Sequence, residues 1–431
     1  MARRFEARAI GTAALQPLTA NQIRSFFAAW GGWALDGMDS FIYALVLVPA
    51  LKDLLPRSGI AATPANTGFY GGLLFALFLV GWGLALLWGP VGDRFGRVRT
   101  LTLTILCYSL FTFLGALAGN VWQLGFFRLF AGFGIGGEWT LGGVLIAEAW
   151  PEQRRKTGAG WMHTGYYFGI FLAAIGNATI GAWLGWRAMF VLGGAPAVLV
   201  GYIRHSVREP THAKRPAAFG APLKELFSPA LRRRTILNSV YLLISMTGLW
   251  AGSVYVPSSV TQIAVRAGHN SVSAAHLASW ATMLLSTCTI IGCVIMPPLA
   301  EHIGRRATLG LYFALMFVSI AFGFGYAFYL ERGALPWFLA SLAFLGVGGA
   351  NFAVYTLWLP EQYPSSCRAS AFAFATSAGR FFAAGVTLLV GAAIAHFKTL
   401  GIPVACTSIA FLLGLLVIPF GEETRGKALP E

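Results

Sequence analysis

Charge is what this sequence has least of. Only 11% of its 431 residues are charged, while 57% are hydrophobic; soluble domains carry roughly 25% charged residues. The polar groups are too few to cover a water-facing surface. A soluble globule, and with it a soluble enzyme, is excluded, and a bilayer is the required solvent. Acidic residues are the scarcer sign, 16 Asp and Glu against 31 Lys and Arg, for a formal net charge of +15. The basic excess lies in short clusters between apolar runs, which points to lipid headgroups and excludes a nucleic-acid partner. Cysteine is sparse and odd in number: Cys107, Cys288, Cys293, Cys367 and Cys406. With no CxxC spacing, neither a disulfide framework nor a metal site is expected. No cofactor is expected either. The glycines of Gly132-Phe133-Gly134-Ile135-Gly136-Gly137 fall inside an apolar run with no strand before them, so they suit close helix approach, not a dinucleotide.

What the chain has in abundance is apolar runs of about 20 residues, the length that spans a bilayer as a helix. Six fall near 24–50, 67–88, 99–118, 121–148, 157–181 and 187–204, and six more near 235–262, 276–299, 308–330, 336–359, 369–396 and 401–420. The expected fold is an all-α membrane protein of twelve transmembrane helices in two pseudo-symmetric six-helix bundles, 1–204 and 235–431. The polar stretch 205–234, with Pro210, Pro216, Pro222 and Pro229, reads as a linker with a short surface helix near Leu223–Phe227. The basic N-terminus (Arg3, Arg4, Arg8) precedes a long run that contains Asp36 and Asp39, so a retained first helix is expected, not a cleaved signal. Loop charge sets orientation. With both termini and the even-numbered loops assigned to the cytoplasm, that side holds 23 of the 31 basic residues. The other side holds six: Lys52, Arg57, Arg187, Arg266, Arg332 and Lys398.

The two sets of runs are related. Gly92-Asp93-Arg94-Phe95-Gly96-Arg97 is echoed by Ala300-Glu301-His302-Ile303-Gly304-Arg305. Gly134-Ile135-Gly136-Gly137 is echoed by Gly346-Val347-Gly348-Gly349, and Pro151-Glu152-Gln153 by Pro360-Glu361-Gln362. The offsets are 208, 212 and 209. Repeats at nearly one offset in equivalent loops predict two homologous bundles with a substrate path between them.

Gly89-Pro90-Val91-Gly92-Asp93-Arg94-Phe95-Gly96-Arg97-Val98-Arg99 resembles the signature loop between helices 2 and 3 of the major facilitator superfamily. Gly32-Trp33-Ala34-Leu35-Asp36-Gly37-Met38-Asp39, Gly137-Glu138-Trp139, Glu148, Pro151-Glu152, Arg154, Gly185-Trp186-Arg187 and the stretch from Arg368 to Arg380 resemble, more narrowly, its metabolite:proton symporters of the sialate and lactate branch. Aromatic-acid symporters share the Asp-Gly-x-Asp pattern. The resemblance implies alternating access around a central site, and carriage of a carboxylate with protons. Two positions depart from the branch: Phe372 and Ser377 stand where it often carries amides, and Pro298 where a glycine is usual.

Charges inside the hydrocarbon cost at least about 2.5–3.5 kcal/mol each at a helix centre, so they persist where they pair or face a polar cavity. Asp36 and Asp39, at i and i+3, share a helix face. Two carboxylates so close resist simultaneous ionisation, the property a proton carrier needs; packing against an arginine is the alternative. Glu138 either titrates in transport or forms a fixed pair with Arg128 or another cation. The resemblance links Arg128 to proton coupling. Arg380 lies eleven residues into its run, roughly 16 Å deep at 1.5 Å per residue, where its planar guanidinium can clamp a carboxylate or neutralise a protein carboxylate. His163, Tyr166, Tyr167, Asn177, Asn351, Tyr355 and Trp139 are further candidates for a cavity wall, with plain packing the alternative for each. Asp93, Arg94, Arg97, Glu301 and Arg305 are expected to hold the cytoplasmic gate closed through charge pairs and helix-end contacts, joined by Glu148, Glu152, Arg154, Glu361 and Arg368. The expected function is uptake of a small organic anion with protons by an inner-membrane monomer that performs no covalent chemistry. A sugar or polyol symporter, hinted at by Glu422-Glu423-Thr424-Arg425-Gly426-Lys427, an exporter, and a non-transporting sensor remain alternatives.

Overall fold

A computed structural model describes residues 17–206 and 220–430, and within them the regular structure is helical. Twelve segments run back and forth. The first half has Ala20–Arg57, Pro64–Leu84 continued by Trp88–Phe95, Arg97–Gly115, Val121–Ala149, Glu152–Gly176, and Ala182–Leu192 with Ala197–Ser206. The second has Arg232–Val254 with Val256–Arg266, Ser271–Ile303, Arg305–Gly325, Ala334–Gly349 with Asn351–Trp358, Arg368–Phe397, and Gly401–Cys406 with Ile409–Val417. They are numbered segments 1 to 12 below.

Local chemistry sets the starts. Thr19 and Gln22 form a reciprocal capping box, and Asn120 and Asn270 accept from the backbone N–H of Gln123 and Ser273, satisfying donors that the helix itself leaves free. Among the described residues, eight helices are long and apolar enough to cross a membrane unbroken, and nine if segment 1 counts as one span. Segment 1 bends by 66° between Ala20–Leu47 and Pro49–Arg57, where Pro49 removes a helical hydrogen bond. Segments 5, 6 and 7 are not among them; segments 6 and 7 are each divided, a division that the continuous runs in sequence do not reveal. Segment 4 is the most enclosed, with 83% of its apolar window buried, against 35% for segment 11 and 39% for segments 8 and 12. The latter therefore present faces to lipid.

The internal repeat is visible in the backbone. Gly96 and Gly304 both have positive φ, 108° and 91°, at the sharp corners that join segments 2 to 3 and 8 to 9. Only glycine adopts such angles at little cost. Thr100 and Thr308 each return their hydroxyl to the preceding glycine carbonyl at 2.8 Å. The expected surface helix between the halves is present as Ala221–Leu226; residues 1–16 and 207–219 lie outside the described residues, and with them the N-terminal arginines, Pro210 and Pro216.

Candidate functional site

At the end of the bundle that carries the signature loops, charges interlock. Asp93 sits at the start of segment 11: it accepts from Ser370 N–H at 2.9 Å, Ala369 N–H at 3.3 Å and Ser370 Oγ at 2.5 Å, where the positive helix end favours an anion. Arg97 reaches Asp93 at 3.1 Å and both oxygens of Glu148 at 3.2 Å, and donates to the carbonyls of Gly92 and Ser365. Arg368 meets Glu148 at 2.9 Å from the other half. In the second copy, Arg305 holds Glu361 through two contacts of 3.0 Å and Glu301 at 2.7 Å. Lys156 crosses to Glu301 at 2.5 Å and Arg155 approaches Glu361 at 3.6 Å.

Several expectations are refined there. Pro151-Glu152-Gln153 and Pro360-Glu361-Gln362 match as strings, yet Glu148, not Glu152, plays the role of Glu361. Glu152 is exposed and lies 3.8 Å from Arg155. Arg94 is exposed and lies over the Phe95 ring. Four participants were not foreseen: Lys156, Arg155, Thr424, whose hydroxyl donates to Glu361 at 2.6 Å, and Glu423, which accepts from the N–H groups of Arg305 and Arg306. Arg155 and Lys156 had the same sequence signal as their neighbours.

At mid-depth the charges are few, buried and poorly paired. Asp36, Asp39 and Glu138 are fully buried, with Arg128 and Arg380 at most 2% exposed. Asp39 and Arg128 approach to only 3.6 Å, and no guanidinium nitrogen of Arg128 has a hydrogen bond; the group lies between the Tyr43 and Phe78 rings, 4.3 and 4.1 Å from their centroids. Arg128 therefore belongs with Asp39, not with Glu138. Asp36 shares its surroundings with Glu138, Asp39 and Arg380, yet neither of its oxygens has a hydrogen bond. The two aspartates of segment 1 thus divide, one toward an arginine of segment 4 and one toward the centre. Glu138 touches Thr104 Oγ1 at 3.4 Å through one oxygen and leaves the other unpartnered. A Cβ at Gly32 would fall 1.7 Å from that second oxygen, so Gly32 is what admits the carboxylate between segments 1 and 4.

Arg380 forms no ion pair among the described residues. Its Nε and Nη1 are buried without partners, and its guanidinium lies over Trp82 at 4.2 Å and Trp139 at 5.9 Å. Aromatic rings surround it. Trp139 meets Trp33 at 5.7 Å, His163 at 5.7 Å, Phe352 at 5.6 Å and Phe372 at 5.1 Å between centroids, and Trp33 meets Tyr166 at 4.8 Å. Trp139 donates to Thr356 Oγ1 at 2.9 Å, across the two halves. Trp139, His163 and Tyr166 thus join the site, and Tyr167 stands behind His163 at 6.0 Å. Asn351 and Tyr355 do not. Asn351 donates to Gly348 of its own segment, and Tyr355 bonds Ser245 at 2.8 Å inside the second half. Trp33, Trp82 and Phe352 were missed, because aromatics at helical spacing carry no signal that separates wall from core; Phe372 stood out as a departure from the branch pattern, not as a wall residue.

This geometry meets a family pattern. Residues 29–275 match the Major Facilitator Superfamily profile. The chain belongs to that superfamily. It is 28% identical to the "probable 4-methylmuconolactone transporter" of Cupriavidus pinatubonensis, over 95% of this chain and 92% of that one. It is 26% identical to the niacin transporter NiaP of Acinetobacter baylyi, over 92% and 93% respectively. The fold matches the proton:xylose symporter XylE with a TM-score of 0.76 at 19% identity, covering 95% of this chain and 98% of that one. The protein is therefore a multi-pass membrane transporter of this superfamily, not an enzyme, with the expected two bundles of six.

Proposed function

We propose that this transporter carries a small organic carboxylate together with protons by alternating access, with Arg380 as the anion anchor. The observation that supports this best is the unpartnered guanidinium of Arg380. A permanent counter-ion would be expected to hold a protein carboxylate, because a buried lone charge is costly; a substrate anchor keeps its donors free until the anion arrives. Relatives named for 4-methylmuconolactone and niacin agree with a small organic cargo. Asp36 and Glu138, each with an unbonded oxygen, are the proton carriers in this reading, with Arg128 and Asp39 as a coupled pair beside them. The moving bodies are 1–204 and 235–431, joined by 205–234. The basic bias puts the signature-loop end, both termini and the linker in the cytoplasm of an inner-membrane monomer, and the interlocked charges at that end are the closed cytoplasmic gate. A sugar or polyol cargo is less well served, since Asn238 and Gln362 are bonded to each other and Asn351 donates to its own helix, with its amide oxygen alone left unbonded.

The test is binding to purified protein. Arg380→Ala should lose carboxylate binding and Arg380→Lys should weaken it, with both proteins folded. Normal binding by Arg380→Ala, or misfolding rescued by neutralising Asp36, would make the arginine structural.

A further inference from the structure

Past Arg99, segment 3 carries no charge, but its buried face is polar. Thr104, Tyr108, Ser109 and Thr112 are each at most 1% exposed. Thr104, Tyr108 and Thr112 recur every four residues, so they climb one face in steps of about 6 Å. At the end nearer the signature loops, Thr104 Oγ1 touches Glu138 at 3.4 Å. At the far end, a Cβ on Gly193 would fall 2.4 Å from Thr112 Cγ2 and 3.3 Å from Asp39 Oδ1, so the threonine and the acid are neighbours. Tyr108 stands between these ends. Gly134 lets segment 4 close on its backbone, since a Cβ there would fall 2.5 Å from Tyr108 N. The acids in its surroundings are Asp36 and Asp39 of segment 1 and Glu138 of segment 4. The hydroxyls of Tyr108, Ser109 and Thr112 have no hydrogen bond, and neither have the oxygens of Asp36 and Asp39 nor Oε1 of Glu138. Buried polar groups are normally bonded; so many unbonded ones in one place suit a route along which protons change hands.

Resting on the reading of Asp36 and Glu138 as proton carriers, we infer that segment 3 lines the proton path, with Tyr108 as the relay that passes a proton from Asp39 to Asp36 or Glu138. The step balances at every atom. Protonated Asp39 gives its proton to the phenol oxygen, directly or through one water, as the phenol's own proton leaves for the carboxylate of Asp36 or Glu138. Asp39 ends as the carboxylate beside Arg128, the acceptor ends neutral, and Tyr108 is restored once its hydroxyl turns back. Concerted exchange suits a phenol, because its ordinary pKa of about 10 makes a free tyrosinate costly near neutral pH. The order along the bundle agrees. Arg128 lies ten residues from Glu138 on segment 4, about 15 Å, on the side away from the signature loops. Asp39, beside Arg128, is therefore the outer station, and Glu138, beside Thr104, the inner one. Thr112 and Thr104 orient the two ends, and Tyr108 spans the gap.

The experiment uses the full-length protein in proteoliposomes that enclose a pH-sensitive dye, with labelled nicotinate, benzoate and lactate as probes. Tyr108→Phe keeps the ring and removes only a hydroxyl that bonds nothing, so the fold should persist. Substrate-driven proton entry should slow by at least about tenfold, as when a positioned proton-transfer group is lost. Exchange of the labelled acid at equal pH should stay near the parent rate, and the final accumulation should still be reached, because a relay sets the rate and not the equilibrium. Asp36→Asn, by contrast, should end accumulation. Thr112→Val, which keeps its shape, should slow proton entry less than Tyr108→Phe does. Proton entry at the parent rate in Tyr108→Phe would overturn the relay while leaving the proton carriers in place. An equal slowing of exchange would also overturn it, by making the phenol a structural or substrate-binding group. If the parent moves protons with none of the three acids, the proton-symport reading itself fails and takes this inference with it.

Discussion

Two clusters of charge lie in this bundle, and they are built on opposite terms. At the signature-loop end nearly every arginine has a carboxylate and a carbonyl: Arg97 holds Asp93 and Glu148, Arg305 holds Glu301 and Glu361, and Arg368 reaches Glu148 from the other half. At mid-depth Nε and Nη1 of Arg380, both oxygens of Asp36 and one oxygen of Glu138 are buried with no hydrogen bond. Burial alone does not distinguish them, since Arg97 and Arg380 are both at most 2% exposed. What differs is satisfaction. A satisfied network rigidifies one conformation, as a gate must; an unsatisfied group in a low dielectric is costly and is tolerated where something else completes it. Each expectation below would break or sharpen that contrast.

The largest effect belongs to Arg380. Truncating one member of a buried charge pair costs about 2–5 kcal/mol, roughly 30- to 5000-fold in affinity. Arg380→Ala should therefore leave carboxylate binding below detection by calorimetry while its thermal unfolding stays near that of the parent. Because the parent guanidinium forms no ion pair among the described residues, its removal breaks no salt bridge there; a large drop in stability would show that the contrast is misdrawn.

Next come the unpartnered carboxylates. Asp36→Asn or Glu138→Gln should abolish accumulation driven by an inward proton gradient in proteoliposomes, yet leave substrate exchange, which moves no net proton. Parent accumulation should rise as the external pH falls below the internal pH, and the neutral variant should lose that dependence. Accumulation unchanged in both variants would move proton coupling elsewhere. Asp39 should behave differently, since it is the one acid beside Arg128. Asp39→Asn leaves a buried cation alone, a loss of about 3–5 kcal/mol, and Arg128→Gln added to it should restore part of the unfolding temperature.

How far this was legible in the sequence follows the same division. Apolar runs, the six-plus-six pattern and the corners at Gly96 and Gly304 were readable, because they rest on length, hydropathy and a repeated motif. So were the charges worth watching, since any charge in hydrocarbon stands out. Their partners were not. Asp36 and Asp39 share a face by spacing, but which one meets Arg128 depends on how segment 4 packs. Glu148 ends segment 4 and Glu152 opens segment 5, and only tertiary placement puts the first opposite Arg97. Part of the ring wall was invisible, because Trp33, Trp82 and Phe352 look like ordinary membrane-helix residues until Arg380 is among them.

At the loop end, single changes should act on conformation, not affinity. Asp93→Asn weakens the contact with the start of segment 11, and Glu148→Gln loosens both Arg97 and Arg368. Either should alter turnover several-fold while affinity stays within a few-fold, because the loop biases an equilibrium through Ser370, roughly 15 Å along segment 11 from Arg380 at 1.5 Å per residue. An affinity loss as large as that of Arg380→Ala would erase the distinction between the two clusters.

The smallest effect is expected from the C-terminal strap. After segment 12 the chain runs back across the gate. Glu422 accepts from Trp358 and Glu423 caps segment 9, then the strap crosses to the first half, where the Lys427 carbonyl accepts from Arg155 at 3.3 Å. The Pro430 carbonyl accepts from Arg368 at 2.7 Å, and Leu429 lines a crevice with Ala147, Ala159 and Glu361. Deleting residues 427–431 removes the contacts of Lys427, Leu429 and Pro430, but Glu148 and Glu361 still hold Arg368 and Arg305. The gate should therefore loosen by roughly 1 kcal/mol, two hydrogen bonds at about 0.5 kcal/mol each, the low end of their net worth, which is about fivefold in population. Alkylation of Ala159→Cys, in a background without the five native cysteines, should accelerate by about that factor on truncation and more steeply on Glu361→Gln. If truncation accelerated it more than Glu361→Gln did, the strap rather than the paired charges would be the principal lock on this end of the bundle.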